Sequence, residues 1–158
     1  SVTRGIQSPP RDNIKIFALF AQALEHAGIR DAGRHLLQAR NYLAVNTMIS
    51  AAPVDGRLLA LYLDNVRDLM MDAEYYPGIK SDSLKQLNIV SGPEGMPYSY
   101  LHYAARKILS GEGDVFYRDW AYDVRPPTDD RPYFYDFFKW KSLGKFFDTY
   151  GPFWLQKL

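Results

Sequence analysis

The sequence predicts an α/β fold that holds only part of a sheet, followed by a helical and extended segment. Segments with the two-residue period of strands alternate with segments of helical period over the first half of the chain. No Gly-rich turn of the kind that binds a nucleotide follows the first strand, so the usual first half of such a sheet is missing. We therefore divide the chain into an α/β part, 1–78, and a helical and extended appendage, 79–158.

Composition excludes several functional classes. Of the 158 residues, 47% are hydrophobic and 23% are charged, which is typical of a soluble globular domain. The 19 basic and 18 acidic residues give a net charge of +1, so no nucleic-acid partner is expected. The absence of cysteine excludes disulfides and thiolate nucleophiles, and His26, His35 and His102 lack local metal-ligand spacing, so no metal site is predicted.

The first elements are a strand end and a long helix. Ser1–Gly5 is predicted as the end of a strand. Prolines at 9 and 10 then precede a predicted helix, Asp12–Ala27, whose apolar residues recur at helical spacing. Gly28 is the residue type that ends a helix.

A hairpin and a second helix come next. His35–Arg40 and Leu43–Ser50 are predicted strands, joined by a tight turn at Asn41 and Tyr42 although that pair is not a favoured turn. A helix then opens at residues 53–55 and is followed by a short strand, Ala73–Tyr76. The core face of this helix is predicted to hold Leu58, Leu59, Tyr62, Val66, Leu69 and Met70.

The second half is less regular. Residues 79–97 read as a long loop, and such loops often bind ligands. The segments that follow are two helices, a proline-extended stretch, a weakly alternating stretch and a last helical turn or two: Tyr98–Ser110, Asp114–Tyr122, Arg125–Pro132, Tyr133–Trp140 and Ser142–Tyr150.

Two clusters could carry binding chemistry, and the sequence lacks P-loop and serine-hydrolase motifs. Arg4 and Arg11 lie where a strand end runs into a helix start, where two guanidiniums could clamp an anion. The alternative is that Asp12 caps the helix and Arg11 is solvated.

The second cluster is the pair Asp129 and Asp130. Adjacent carboxylates could hold a cation or an amine between them. Alternatively, the flanking residues Arg125 and Arg131 neutralise the pair through salt bridges of little energetic value.

Three segments carry a family resemblance: residues 1–13, Tyr75–Gly78, and Pro127–Trp140. In this order they resemble the C-terminal part of the bacterial spermidine-synthase-like proteins. The resemblance implies a partial Rossmann-like methyltransferase sheet, made of late strands and a terminal antiparallel hairpin, with a helical C-terminal extension. Ser1–Gly5 would be a late strand, and His35–Ser50 the hairpin.

The same resemblance implies a function. The chain would be a fragment of an S-adenosylmethionine-dependent transferase whose parent transfers an aminopropyl or a methyl group. The cofactor, S-adenosylmethionine or its decarboxylated form, and the catalytic aspartate would be held by residues upstream. This chain would therefore bind no cofactor, hold no catalytic residue and be inactive alone.

The matching family positions on this chain are Arg4, Pro9, Pro10, Arg11 and Thr128–Pro132. Among them, the hypothesised substrate-binding residues are Arg4, Arg11, Asp129, Asp130 and Arg131.

The expected partners follow from the prediction that this chain is only part of a longer protein. Both ends look cut, so we expect the chain to be joined to the rest of a parent polypeptide. The parent domain is expected to be cytoplasmic, with adjoining membrane segments in longer relatives. An isolated half-sheet exposes an edge and should form a homodimer. The alternative functions are a non-catalytic interaction or regulatory module, with the aromatic last third as its contact surface, and a small independent enzyme using Asp129 or Asp130.

Overall fold

The computed structural model describes residues 1–4, 10–84, 92–140 and 142–143. In these residues it contains the strands β1 (Val2–Arg4), β2 (Leu36–Arg40), β3 (Ala44–Ile49) and β4 (Asp72–Tyr75), and the helices α1 (Asp12–His26), α2 (Gly56–Asp68), α3 (Tyr100–Lys107) and α4 (Gly113–Asp119). Short 3-10 turns lie at Ala32–His35 and Ser81–Ser83, and a π-helical turn, Ile108–Glu112, joins α3 to α4. The prediction of a mixed α/β fold is confirmed.

The four strands form one sheet in the order β1-β3-β2-β4, and every neighbouring pair is antiparallel. Since β1 and β2 both run antiparallel to β3, they point the same way, and α1 connects them. Thr47 of β3 pairs with Gln38 of β2, and the register between β2 and β4 shifts at Gln38 and Ala39. The sheet therefore contains a β-α-β unit with an antiparallel strand inserted between its two strands.

The hairpin between β2 and β3 turns on the side chain of Asn41. Its Oδ1 accepts hydrogen bonds from the backbone N–H groups of Leu43 and Ala44, each at 2.9 Å. This side-chain turn explains why an unfavoured Asn-Tyr pair supports a tight connection. The predicted hairpin is confirmed, with His35 in the preceding 3-10 turn and Leu43 in the turn itself.

Helices cover both faces of β2. Leu36 packs against Phe17 of α1, whereas Leu37 packs against Tyr62 and Val66 of α2. Because successive strand residues point to opposite faces, α1 and α2 lie on opposite sides of the sheet. Helix α3 joins the α1 side, where Ala105 belongs to the same buried cluster as Phe17.

Several predicted features differ. Leu58, Leu69 and Met70 are exposed rather than part of the core face, and the last two residues follow the end of α2 at Asp68. The weakly alternating stretch Tyr133–Trp140 contains no strand. The predicted loop 79–97 contains a 3-10 turn, and its residues 85–91 lie outside the described residues, as do Gly5 and most of Ser142–Tyr150.

No helix in the described ranges is both long and apolar enough to cross a membrane.

Leu36 gives a test of this layering. The side chain is fully buried between the sheet and α1, so Leu36→Ala should lower the free energy of unfolding by about 2–5 kcal/mol. The matched control is Leu61→Ala on the solvent side of α2, where the side chain is 60% exposed and the loss should be small. Urea titrations measure both, and equal losses would contradict the assigned faces.

Candidate functional site

Residues 123–139, which we call the C-terminal arm, fold back across the start of α1. The backbone carbonyl of Asp136 accepts a hydrogen bond from Lys15 Nζ at 3.0 Å, and Asp123 N–H donates to the carbonyl of Phe137 at 3.1 Å. Lys139 Nζ donates to the carbonyls of Tyr117 and Trp120 at the end of α4. The arm is thus held at both α1 and α4.

Cations of α1 and its N-terminal flank contact aromatic rings of the arm. The ring of Phe137 lies 4.9 Å from Lys15 Nζ and 5.4 Å from the guanidinium carbon of Arg11. Phe134 adds a ring 5.5 Å from Lys15 Nζ, and Tyr122, just before the arm, has its ring 5.5 Å from the guanidinium carbon of Arg11. Burial lowers the pKa of Lys15 below its usual 10.5, although Asp123 acts in the opposite direction. These contacts bring two sequence-distant segments of the family resemblance together.

Asp123 organises the two arginines of the arm. Its carboxylate accepts from Arg125 Nε at 2.8 Å and Nη2 at 2.5 Å, and Arg131 Nη1 lies 3.8 Å away. Burial alone would raise the pKa of Asp123, but the hydrogen bonds and charge of Arg125 hold it below its usual 3.8. Salt bridges from these arginines to Asp129 and Asp130 were an open alternative, and that alternative is wrong because both arginines turn toward Asp123.

The acidic pair lies on an exposed turn. Thr128 and Arg131 exchange backbone hydrogen bonds of 3.2 and 2.9 Å, which places Asp129 and Asp130 at its solvent-facing tip. Neither carboxylate forms an ion pair with any residue that the structure describes. Arg131, by contrast, is partly buried beside a cavity.

The residues of the first predicted cluster separate. Arg4 lies in β1, and its side chain is outside what the structure describes. Arg11 occupies the N-cap position of α1 and contacts the arm, while Asp12 is the first helical residue and provides no cap. The predicted capping role of Asp12 is therefore wrong, and its Oδ1 is buried without a hydrogen-bond partner among the described residues.

A cavity of about 300 Å³ lies between α1, the π-helical turn, α4 and the arm. Its floor is apolar and includes Ala18, Ala21 and Ile108. Gly111, with φ of 82°, makes the turn from α3 into α4 possible and forms part of the rim.

Opposite charges line this cavity. The arm contributes Arg125, Thr128 and Arg131, while α1 contributes Glu25 and α4 contributes Asp114 and Tyr117. Burial raises the pKa of Tyr117, and the nearby carboxylates of Asp114 and Glu25 raise it further. The cavity therefore offers guanidinium donors and, separately, carboxylate acceptors.

A second polar cluster is enclosed between β2, β4 and α3. Glu74 is fully buried and accepts hydrogen bonds from Arg40 Nε at 2.8 Å and from Ser99 Oγ. Ser99 also caps α3 by accepting from the N–H groups of Leu101 and His102. Burial raises the pKa of Glu74 from 4.5 to about 7, against the opposing effects of Ser99 and Arg40.

His102 extends this cluster toward the 3-10 turn. Because a carbonyl can only accept, His102 Nδ1 donates to the carbonyl of Glu74 at 2.9 Å. Its Nε2 then accepts from the hydroxyl of Ser81 at 3.0 Å, and Arg106 donates to the same hydroxyl at 2.6 Å. Burial lowers the pKa of His102, in keeping with a neutral ring. Enclosure and complete pairing indicate a structural role.

Sequence reasoning did not identify Lys15, Asp123 or Glu74. A signal existed for Glu74, since Asp72 and Glu74 alternate on one face of a strand that also carries Ala73 and Tyr75. Lys15 also stands out in retrospect as a charged residue next to Ile14 in a helix with a wide apolar face.

Comparisons with protein-family models, with curated proteins and with solved structures give no match. Among the described residues, no group of three His, Asp or Glu side chains is placed to hold a metal ion.

Replacement of Phe137 tests the arm. Phe137→Leu keeps an apolar side chain but removes the ring that Arg11 and Lys15 both contact, which should cost about 1–2 kcal/mol of docking. When the arm is docked, the carbonyls of Tyr117 and Trp120 bind the ammonium group of Lys139. Trypsin cleavage after Lys139 should therefore be roughly 5–30-fold faster in Phe137→Leu than in wild type. The control Tyr135→Leu, at a ring that is 80% exposed, should cleave like wild type. Equal rates in all three proteins would contradict cation–aromatic docking.

The buried acid predicts a pH dependence. The pKa of Glu74 is about 7 in the folded state and 4.5 when unperturbed, so the unfolded chain releases this proton first as the pH rises. Between these values the contribution of Glu74 to the free energy of unfolding should fall by about 1.4 kcal/mol per pH unit.

The difference between wild type and Glu74→Gln isolates this contribution, because His102 and the other titrating groups are present in both proteins. Denaturant titrations give the free energy of unfolding of both proteins at pH 5 and at pH 7. The value for wild type minus the value for Glu74→Gln should be lower at pH 7 than at pH 5 by roughly 2 kcal/mol. Parallel pH profiles for the two proteins would show that Glu74 is not protonated in the fold.

Proposed function

We propose that the chain is the C-terminal part of an S-adenosylmethionine-dependent transferase of the spermidine-synthase-like type, inactive by itself. The resemblance suggests this parent, which would transfer an aminopropyl or a methyl group. The observation that carries the proposal is the order of the sheet. Strands β1 and β2 point the same way, α1 connects them, and β3 returns antiparallel between them. A parallel β-α-β unit is the building block of doubly wound α/β sheets.

The free edge of β1 supports a larger sheet. Within the described residues β1 pairs only with β3, and Val2 on this edge strand is 69% exposed. An edge strand with one unpaired side can pair with further strands. In the proposal, strands of the upstream half add to this edge and complete a Rossmann-like methyltransferase sheet. The isolated chain would instead pair with a second copy of itself.

The segments that carry the resemblance pack against α1 and its N-terminal flank. Tyr75 of the middle segment packs edge-on against Phe17 of α1 at 5.4 Å, and its hydroxyl donates to the carbonyl of Gly33. Arg11 of the first segment lies against Phe137 of the last. The described parts of the three segments therefore lie around α1, an arrangement that supports one shared domain.

The residues described here do not fit the cofactor itself. In open α/β sheets the cofactor lies beyond the carboxyl ends of the strands, on a Gly-rich turn. The cavity is lined instead by α1, the π-helical turn, α4 and the arm, and the sequence has no Gly-rich fingerprint. S-adenosylmethionine or its decarboxylated form would therefore be held upstream, in a cytoplasmic domain that adjoins membrane segments in longer relatives.

A second candidate is a non-catalytic interaction module. Tyr133, Tyr135, Phe138 and Trp140 are all more than half exposed along the arm and just after it. Aromatic side chains are enriched at protein interfaces, and such a row is unusual on a solvated surface. This candidate needs no cofactor at all, which separates it from the transferase.

Thermal melts with millimolar S-adenosylmethionine distinguish the two. The chain alone should show no shift, whereas a polypeptide extended by the sequence encoded upstream of Ser1 should be stabilised. A ligand at about 100 times its dissociation constant adds about 2.7 kcal/mol, which raises Tm by a few degrees. A shift for the chain alone would place the cofactor within these residues, and no shift for the extended protein would favour the interaction module.

A further inference from the structure

We propose that the cavity between α1, α4 and the arm binds a small zwitterion of the ω-amino carboxylate class. Its carboxylate would lie on Arg125 and Arg131, and its ammonium near Glu25 and Asp114. All of these side chains belong to the described part of this chain. The inference therefore goes beyond the proposed transferase and does not depend on it.

The carboxylate of the ligand would bind N–H groups that Arg125 and Arg131 do not use in contacts with other described residues. Arg125 uses Nε and Nη2 on Asp123, and Arg131 uses Nη2 on the carbonyl of Pro126 at 2.8 Å. Among the described residues, Arg125 Nη1 and Arg131 Nε have no hydrogen-bond partner. One carboxylate, Asp123, balances only one of the two positive charges, so the pair keeps a net charge of +1. Guanidiniums held in this way are suited to bind a carboxylate.

The ammonium group of the ligand would lie near two carboxylates, those of Glu25 and Asp114. Neither Glu25 nor Asp114 forms an ion pair with any described residue, although both lie close enough to Tyr117 to act on its pKa. Glu25 also lies in the last turn of α1, where the helix dipole disfavours an acidic side chain. Both carboxylates are exposed and are therefore accessible to a cation from solution.

The middle of the cavity suits a short methylene chain. Ala18, Ala21 and Ile108 line the cavity together with the charged groups, and they offer no hydrogen-bonding side chain. A volume of about 300 Å³ matches a ligand of several carbons, at the low end of ordinary ligand pockets. A singly charged ligand would leave one set of charges unmatched.

The test compares three matched probes by amide resonance shifts of Gly111, on the rim, in the whole chain. The probes are δ-aminovalerate, valerate and n-pentylamine, with γ-aminobutyrate and ε-aminocaproate to vary the length. The best zwitterion should bind at least about tenfold more tightly than either singly charged analogue, because it gains a second charged hydrogen-bonding contact.

Single-charge variants assign the two ends. Arg131→Gln should weaken the zwitterion by about tenfold and leave n-pentylamine unchanged, whereas Glu25→Gln should weaken the zwitterion and leave valerate unchanged. Arg67→Gln on α2 and Glu94→Gln, both exposed and away from the cavity, are the controls. Glu25 is exposed, so its variant should fold normally even if Arg131→Gln disturbs the arm.

Two results would overturn the proposal. Equal binding of valerate and δ-aminovalerate, in wild type and in Glu25→Gln, would reveal a simple anion site. No shift at Gly111 with any probe at tens of millimolar would show that the cavity binds none of them. Neither result bears on S-adenosylmethionine binding by an extended protein, so the transferase proposal fails or survives separately.

Discussion

The buried ammonium group of Lys15 is the interaction on which the arrangement of helix, arm and cavity depends. A charge taken out of water must find compensating partners. Lys15 finds the carbonyl of Asp136 and the faces of Phe134 and Phe137, all supplied by the arm. The arm is thereby fixed along α1, and its arginines come to form one wall of the cavity. Packing of apolar side chains alone would not fix the arm at this position along α1. Other rings of the arm contact no cation of the described residues and stay exposed.

The opposite wall depends on a second buried ionisable group. Glu74, bound by Arg40 and Ser99, ties β2 and β4 to the first turn of α3. The π-helical turn and α4 follow directly from α3, so the position of Tyr117 and Asp114 is set from this end. Two buried polar clusters, one at the start of α1 and one at the start of α3, therefore position the two walls. The apolar floor between them is part of the ordinary core of α1.

The elements with strong local patterns were predictable from sequence, and the contacts between distant segments were not. Apolar spacing predicts α1 to within one residue of its end, and the hairpin is confirmed because alternation and a short connection are local signals. The sequence leaves open whether Arg125 and Arg131 neutralise Asp129 and Asp130, and in the structure both arginines pair with Asp123 instead, two residues before Arg125. The role of Lys15 depends on the path of the arm, which no periodicity records.

The most direct measurement of the central claim is paramagnetic relaxation from a spin label on the arm. The chain has no cysteine, so Asp130→Cys, at the exposed turn, provides a single attachment site for a nitroxide. If the arm folds onto the first helix, amide signals of α1 around Gln22 and of α4 around Tyr117 broaden together, because both lie at the cavity that the neighbouring Arg131 lines. Broadening confined to the few residues on either side of the label would contradict the account, since the arm would then lie away from α1.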